Sequence, residues 1–316
     1  MELGDMGERA AIKRIRGTYG YDWPDSDCSY IPMGSKYLLI TTDSIAERTH
    51  IPKGAKPQDV GYFFAALNLS DIAAMGGRPK YFMSALVLPN KMDIGYLDGL
   101  QRGINRCLRK YNVKLIGGDL KKGTEAVLTG VAIGEAHRSR MMHRMNIGAG
   151  DAVCVTGTLG RNAAGYYMWK RGESEGASIL LGIEPRIKEG MFISTNGARA
   201  AIDLSDGVNS AISQISAATG KHFEILWDAV PADPLALNLS KRLGINAQEM
   251  CLNFGGEYEL LFTVPHDLAE KLASKARAKG MKVSVIGRVY GRRNVLVHKG
   301  RRIPITGKGY EHFISD

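Results

Sequence analysis

Residues 145–156 read Met-Asn-Ile-Gly-Ala-Gly-Asp-Ala-Val-Cys-Val-Thr. A glycine-bearing loop beside His143 and Arg144 gives way to a short valine-rich run, the pattern of a strand starting afresh after a break. The chain has 316 residues, room for two domains. The division is therefore expected near residue 149, giving halves 1–149 and 150–316.

Working outward, further apolar runs read as strands: 37–42, 113–116, 126–133, 260–264, 283–289 and 294–298. The last two form a late pair with Gly291 in the turn between them. Helical spacing marks 59–69, with Val60, Phe63, Phe64 and Leu67 on one face, and also 94–111, 162–169, 208–218 and 267–279. Strands and helices alternate irregularly, so the expected class is α+β and not a doubly wound sheet. Asn68-Leu-Ser-Asp71 and Asp203-Leu-Ser-Asp206 echo one another, a thin hint of two related halves.

Composition narrows the partners. Lys and Arg number 42 against 32 Asp and Glu, a formal charge of +10 that favours anionic partners without choosing among them. The four cysteines form no CxxC pair and histidines number seven, which argues against a zinc module or a disulfide framework. No apolar run reaches the roughly 18–20 residues of a membrane span. The first 17 residues lack the apolar centre of a secretory signal. A soluble protein in a reducing cytoplasm, with no membrane partner, is the expectation.

The chemistry lies in the aspartates. Of Asp27, Asp43, Asp71, Asp119, Asp203 and Asp206, expected at element ends, five abut apolar segments and small residues, where a buried chain is expected to emerge at a surface. Any one of them reads equally as a helix cap or turn. Capping explains the set less well, since serine caps as effectively and both echoes carry Ser and Asp together. Carboxylates without Cys or His suit Mg²⁺, which takes oxygen ligands and bridges to substrate phosphates. That is the requirement of phosphoryl transfer. GxxxxGK[ST], a GxGxxG after a strand, HRDxxxxN, DFG, GxSxG and HExxH are all absent, so any such enzyme has an uncommon architecture. Arg144 reads as a phosphate partner or a solvated loop residue. Gly117-Gly118 reads as a phosphate approach or a tight turn. His50 and Tyr310 have ordinary structural readings beside functional ones.

Taken in order, TTDSIAERTH (41–50), NLSDIAAMGGRP (68–79), LIGGD (115–119), IDLSDG (202–207), GGEYELLF (255–262) and GKGYEHF (307–313) resemble the thiamine-monophosphate kinase family. That family belongs to the aminoimidazole ribonucleotide synthetase superfamily. The resemblance runs from about Asp25 to Phe313. It implies a two-domain α+β fold, an N-terminal domain that dimerises through its sheet, and a cleft between the domains. There ATP phosphorylates thiamine phosphate to thiamine diphosphate. It implies metal positions at Asp27, Thr42, Asp43, Asp71, Asp119 and Asp203, with Asp206 near a further one and Thr41 contributing through its main chain or hydroxyl. It implies ATP contacts at Tyr111, Gly118, Asp119, Arg144 and Ser205, and thiamine phosphate contacts at His50, Glu257 and Tyr310. Asp71, Asp119 and Arg144 are then the groups expected at the reacting phosphates.

Two departures stand out. The family's Gly-Asp-Asp is Asp25-Ser26-Asp27 here, and its Gly-Gly-Glu-Asp-Tyr-Glu-Leu is shorter by one residue, Gly255-Gly-Glu-Tyr-Glu-Leu260. Two other readings accompany this one. In the first, the same fold activates a different acceptor, such as an amide oxygen, a carbamoyl group or selenide. In the second, motivated by Arg292-Arg293 and Arg301-Arg302, the chain is a basic binding or regulatory protein. No nucleic-acid motif accompanies those arginines, so no nucleic-acid partner is expected.

Overall fold

The computed structural model describes residues 3–19, 26–306 and 313. Asp25 and Tyr310 lie outside them. The first half contains α1 (Leu3–Met6), α2 (Glu8–Tyr19), β1 (Ser29–Met33), β2 (Lys36–Ala46), α3 (Glu47–His50), α4 (Pro57–Ala74), β3 (Arg78–Pro89), α5 (Ile94–Lys110), β4 (Lys114–Gly123) and β5 (Val127–His137). The second half begins with β6 (Ala152–Thr156), α6 (Arg161–Lys170), α7 (Glu175–Leu181), α8 (Ile187–Thr195), β7 (Ala200–Asp203), α9 (Val208–Thr219) and β8 (Phe223–Leu226). It ends with α10 (Pro234–Leu243), α11 (Ala247–Leu252), β9 (Leu260–Val264), α12 (His266–Ala278), β10 (Val283–Val289), β11 (Val295–His298) and β12 (Arg301–Pro304).

The strands form a five-stranded sheet, β1-β2-β5-β3-β4, and a seven-stranded sheet, β12-β11-β8-β10-β6-β9-β7. Pairing is antiparallel except for β3–β4 and β8–β11. The β3–β4 exception follows from the connection, because α5 supplies the crossover that parallel strands need. The late strands 283–289 and 294–298 are not a hairpin. Strand β8 lies between them and bonds to both.

Helix α4 is the centre of the molecule. Fourteen of its 18 residues are buried, so it is apolar nearly all round, as a helix covered on every side must be. It meets β2 and β5 on one side, α5 on another, and α8 and β7 of the second half. Glycines let the backbones touch. A Cβ on Gly61 would stand 2.0 Å from the Leu100 carbonyl oxygen, and one on Gly103 2.0 Å from that of Gln58. One apolar cluster runs from Leu39, Phe64 and Phe82 through Ile72 and Ile193 to Cys154 and Phe262, crossing from the first sheet to the second. Phe64 and Phe82 meet edge to face with centroids 5.6 Å apart. Among the described residues the other face of the first sheet has no such cover, and Tyr81 and Met83 stand exposed on it.

The echo between the halves does not carry over to structure. Asp71 is an interior residue of α4, whereas Asp203 is the last residue of β7. Asp43 and Asp119 likewise lie inside strands. The expectation of aspartates at element ends thus holds for Asp203 alone among these four, and capping does not explain the others.

Candidate active site

Strand alternation and helix position bring the carboxylates together. On β2, Thr41 and Asp43 point toward α4 while Thr42 points to the opposite face. There the Thr42 hydroxyl donates to the Gly130 carbonyl at 2.8 Å. Buried Asn68, one turn before Asp71, fixes the register of the two elements. Its amide donates to the Phe64 carbonyl at 3.0 Å, and its Oδ1 accepts the Asp43 N–H at 3.1 Å. The Thr41 hydroxyl donates to Asp71 Oδ2. Asp203 arrives from β7, and its N–H donates to Asp27 Oδ1 at 3.4 Å. Carboxylate oxygens of Asp27, Asp71 and Asp203 lie within 4.8 Å of one another.

Charge crowding in this group is severe. Burial, then the neighbouring aspartates Asp43, Asp203 and Asp27, push the Asp71 carboxyl well above the usual range. Burial and Asp27 push Asp203 up to about 7. Asp43 is raised by burial, against a lowering hydrogen-bond effect of Asp71, and further by Asp206 and Asp27. Arg144 offsets part of this, forking onto Asp27 with Nη2–Oδ1 at 2.8 Å and Nε–Oδ2 at 3.3 Å. Arg144 also donates to Gln214 Oε1 at 3.2 Å, and the Gln214 amide reaches Asp206 Oδ2 at 3.5 Å. The Ser205 hydroxyl donates to Asp203 Oδ1 at 3.0 Å.

Two residues that sequence reasoning left out stand in the same place. The Cys28 thiol is fully buried, and burial followed by the field of Asp71, Asp27, Asp203 and Asp43 holds it protonated. It is therefore a neutral wall and not a nucleophile. Tyr258 has φ of +51°, a left-handed conformation rare outside glycine. That conformation turns its ring edge-on to Phe63 and into the field of Asp43, Asp203, Asp71 and Asp206. Its place in the one-residue-shorter motif was the available signal.

Other expected residues lie elsewhere in this chain. Asp119 is exposed on β4 and bonds to Lys121 at 3.0 Å, which lowers its pKa. Gly118 beside it serves strand contact, since a Cβ there would meet the Ser84 carbonyl oxygen at 2.3 Å. Glu257 caps α6. Its Oε1 accepts the Gly160 and Asn162 N–H groups at 2.7 and 3.0 Å, while burial raises its pKa to about 8. The Tyr111 hydroxyl donates to Glu184 at 2.6 Å, and Lys110 and Tyr62 hold the same carboxylate. His50 Nδ1 accepts the Ala46 N–H at 3.3 Å and meets the Thr49 hydroxyl at 2.6 Å. The chain thus gathers Asp27, Thr41, Asp43, Asp71, Asp203, Ser205, Asp206 and Arg144. Asp119, Gly118, the Thr42 hydroxyl and the Glu257 carboxylate make instead the local contacts given above.

The donor set fits a hard divalent cation. It consists of oxygens, the one thiol nearby is protonated, and the buried carboxylates lack enough cations of their own. This makes stability pH-dependent. In the unfolded chain Asp203 titrates near 3.8, and in the folded protein at about 7. Between those values the folded state holds the extra proton, so metal-free stability rises as pH falls. We expect a higher melting temperature at pH 6 than at pH 8 without divalent cations, and a larger gain from Mg²⁺ at pH 8 than at pH 6. Scanning calorimetry in EDTA and in Mg²⁺ reads both. A melting temperature that is flat with pH in EDTA would contradict the crowding.

Residues 25–136 match the family model AIR synthase related protein, N-terminal domain, and residues 148–299 match its C-terminal domain. Fold and cluster together therefore define a two-domain protein of the AIR synthase related class. Over 290 residues the chain is 32% identical to the thiamine-monophosphate kinase of Pyrococcus abyssi, covering 90% of this chain and 89% of that one. Identity to the thiamine-monophosphate kinase of Haemophilus influenzae is 32% over 301 residues, covering 91% and 90%. A solved structure described as AaThiL complexed with AMPPCP and TMP superposes with a TM-score of 0.89 at 28% identity, covering 99% of each chain. The chain belongs to the thiamine-monophosphate kinase family.

Proposed function

We propose that this protein transfers the γ-phosphate of ATP to thiamine phosphate, yielding thiamine diphosphate and ADP. The observation that carries the reading is the buried carboxylate cluster with Arg144 on its rim, in a chain whose relatives are named for this reaction and whose structural neighbour is described with AMPPCP and TMP. Asp27, Asp43, Asp71 and Asp203 would hold Mg²⁺, with Asp206 beside a further position. Bound there, Mg²⁺ neutralises the phosphate charge that otherwise keeps donor and acceptor apart.

The chain's own residues account for the rest. An acceptor phosphate oxygen, already ionised at neutral pH, bonds to the γ-phosphorus as the bond to the β–γ bridging oxygen breaks. No general base is required. Cys28, held as a thiol, offers no nucleophile, which supports direct in-line transfer without a phosphoenzyme. Arg144 is positioned to exchange Asp27 for a phosphate oxygen, a pairing its planar fork suits.

The uncovered face of the first sheet supports a homodimer. Leu38, Ile40, Val131 and Ile133 share that face with Tyr81 and Met83, and on β4 Leu115, Ile116 and Leu120 are exposed. An apolar area of this kind marks an interface. The chain divides near residue 149, with the site drawing on both halves. A cytoplasmic setting suits four buried free cysteines, and no helix among the described residues is long and apolar enough to cross a membrane.

Incubation with ATP, Mg²⁺ and thiamine phosphate is expected to give thiamine diphosphate and ADP in equal amounts, read by chromatography. ATP consumption with another acceptor from a panel, but none with thiamine phosphate, would replace this reading.

A further inference from the structure

The seam between the halves carries a second concavity, built from residues that take no part in the site above. A cavity of about 490 Å³ is lined by Ser139, Arg140, Asn146, Gly148, Ser194 and Arg199, among others. A smaller one of about 240 Å³ shares Arg140 and Ser194 with it and adds Lys36 and Arg78. Together they form one groove of the size that holds a small phosphorylated molecule.

Its charge is one-sided. Lys36, Arg78, Arg140 and Arg199 line it, against the single carboxylate of Glu135. Glu135 is already held by Lys36 at 2.9 Å and Lys80 at 3.1 Å. Arg199 places Nη1 on the buried Asp151 at 3.0 Å. Among the described residues, Arg78 and Arg140 pair with no carboxylate. Arginines lining a cavity whose one carboxylate is already paired each offer a planar fork matched to phosphate oxygens. Arg144 stands on the same loop as Arg140 and Asn146 but turns away to Asp27.

We propose that this groove binds a diphosphate group, free or as a small ester, separately from the aspartate cluster. Arg140 and Arg78 would grip it as forks, Arg199 would add charge from the second half, and the Asn146 amide would complete the donors. The assignment does not depend on which acceptor the aspartate site uses.

Equilibrium dialysis of the full chain against radiolabelled inorganic pyrophosphate in EDTA tests it, because without divalent cations the aspartate cluster repels the anion. Saturable binding is expected, weakened about tenfold or more in Arg140→Gln and in Arg78→Gln and unchanged in Asp71→Asn. ADP as a competitor separates the two sources of the group. Displacement extends the site to esters, and its absence confines the site to the free anion. Three results would overturn the proposal: non-saturable binding to the unaltered chain, equal affinity in both arginine variants, or an equal loss in Asp71→Asn.

Discussion

Asp71→Asn is expected to lower kcat by about 10²–10³-fold, the usual cost of removing one charged group from an electrostatic site. It should also raise the Mg²⁺ concentration needed for half-maximal rate. The metal-free variant should melt above the unaltered protein, in contrast to most core substitutions. Asp71 stands among Asp43, Asp203 and Asp27, whose fields and whose burial oppose its charge. Asparagine keeps the shape and an acceptor for the Thr41 hydroxyl while removing that charge. Steady-state assays over a Mg²⁺ series, with calorimetry in EDTA, measure both effects. Unchanged kinetics would reduce Asp71 to a packing residue.

Arg186→Met is expected to destabilise the chain by about 3–5 kcal/mol, the range for breaking one side of a buried pair. Glu259 is 4% exposed and its main cationic partner is Arg186, which donates to it through Nε at 2.6 Å and through Nη2. Burial opposes the arginine's charge, but Glu259 outweighs that and holds its pKa up. Thr156 supplies the remaining contact at 2.6 Å. Even the space is reserved: a Cβ on Gly157 would stand 1.9 Å from Glu259 Oε1. Adding Glu259→Gln to Arg186→Met should recover part of the loss, because a neutral amide tolerates burial better. Urea denaturation of the three variants reads this. A loss below about 1 kcal/mol for Arg186→Met would show that water replaces the arginine.

Sequence patterns were a good guide where one face of an element is apolar and the other polar. The helix read at 94–111 is observed at Ile94–Lys110, and the strand read at 152–156 is β6. Strand β3 went unread because its open face carries Tyr81 and Met83 opposite buried Phe82 and Ser84, so polarity does not alternate along it. The order β11-β8-β10 was unreadable for another reason: the intruding strand comes from 57 or more residues earlier. At the site, the aspartates were legible as residue types and their convergence was not. Nothing local distinguishes Asp71, directed into the cluster, from Asp119, held at the surface by Lys121. The shortened motif showed a missing residue. That Glu257 would cap α6 and Tyr258 turn left-handed into the carboxylates depends on tertiary contacts with Gly160, Asn162 and Phe63.

The hydrogen bond between Asp203 and Asp27 spans 176 residues, and that between Arg144 and Asp27 spans 117. In terms of synthesis, a chain leaving the ribosome carries Asp27, Asp43 and Asp71 long before the strand that delivers Asp203. Closing so long a loop is slow and comes late in folding. Until then the early carboxylates remain hydrated, where each retains its ordinary acidity and little affinity for a cation. If the cluster holds Mg²⁺ as proposed, tight capture would mark the moment at which the second half has docked, because Asp203 reaches Asp27 only then.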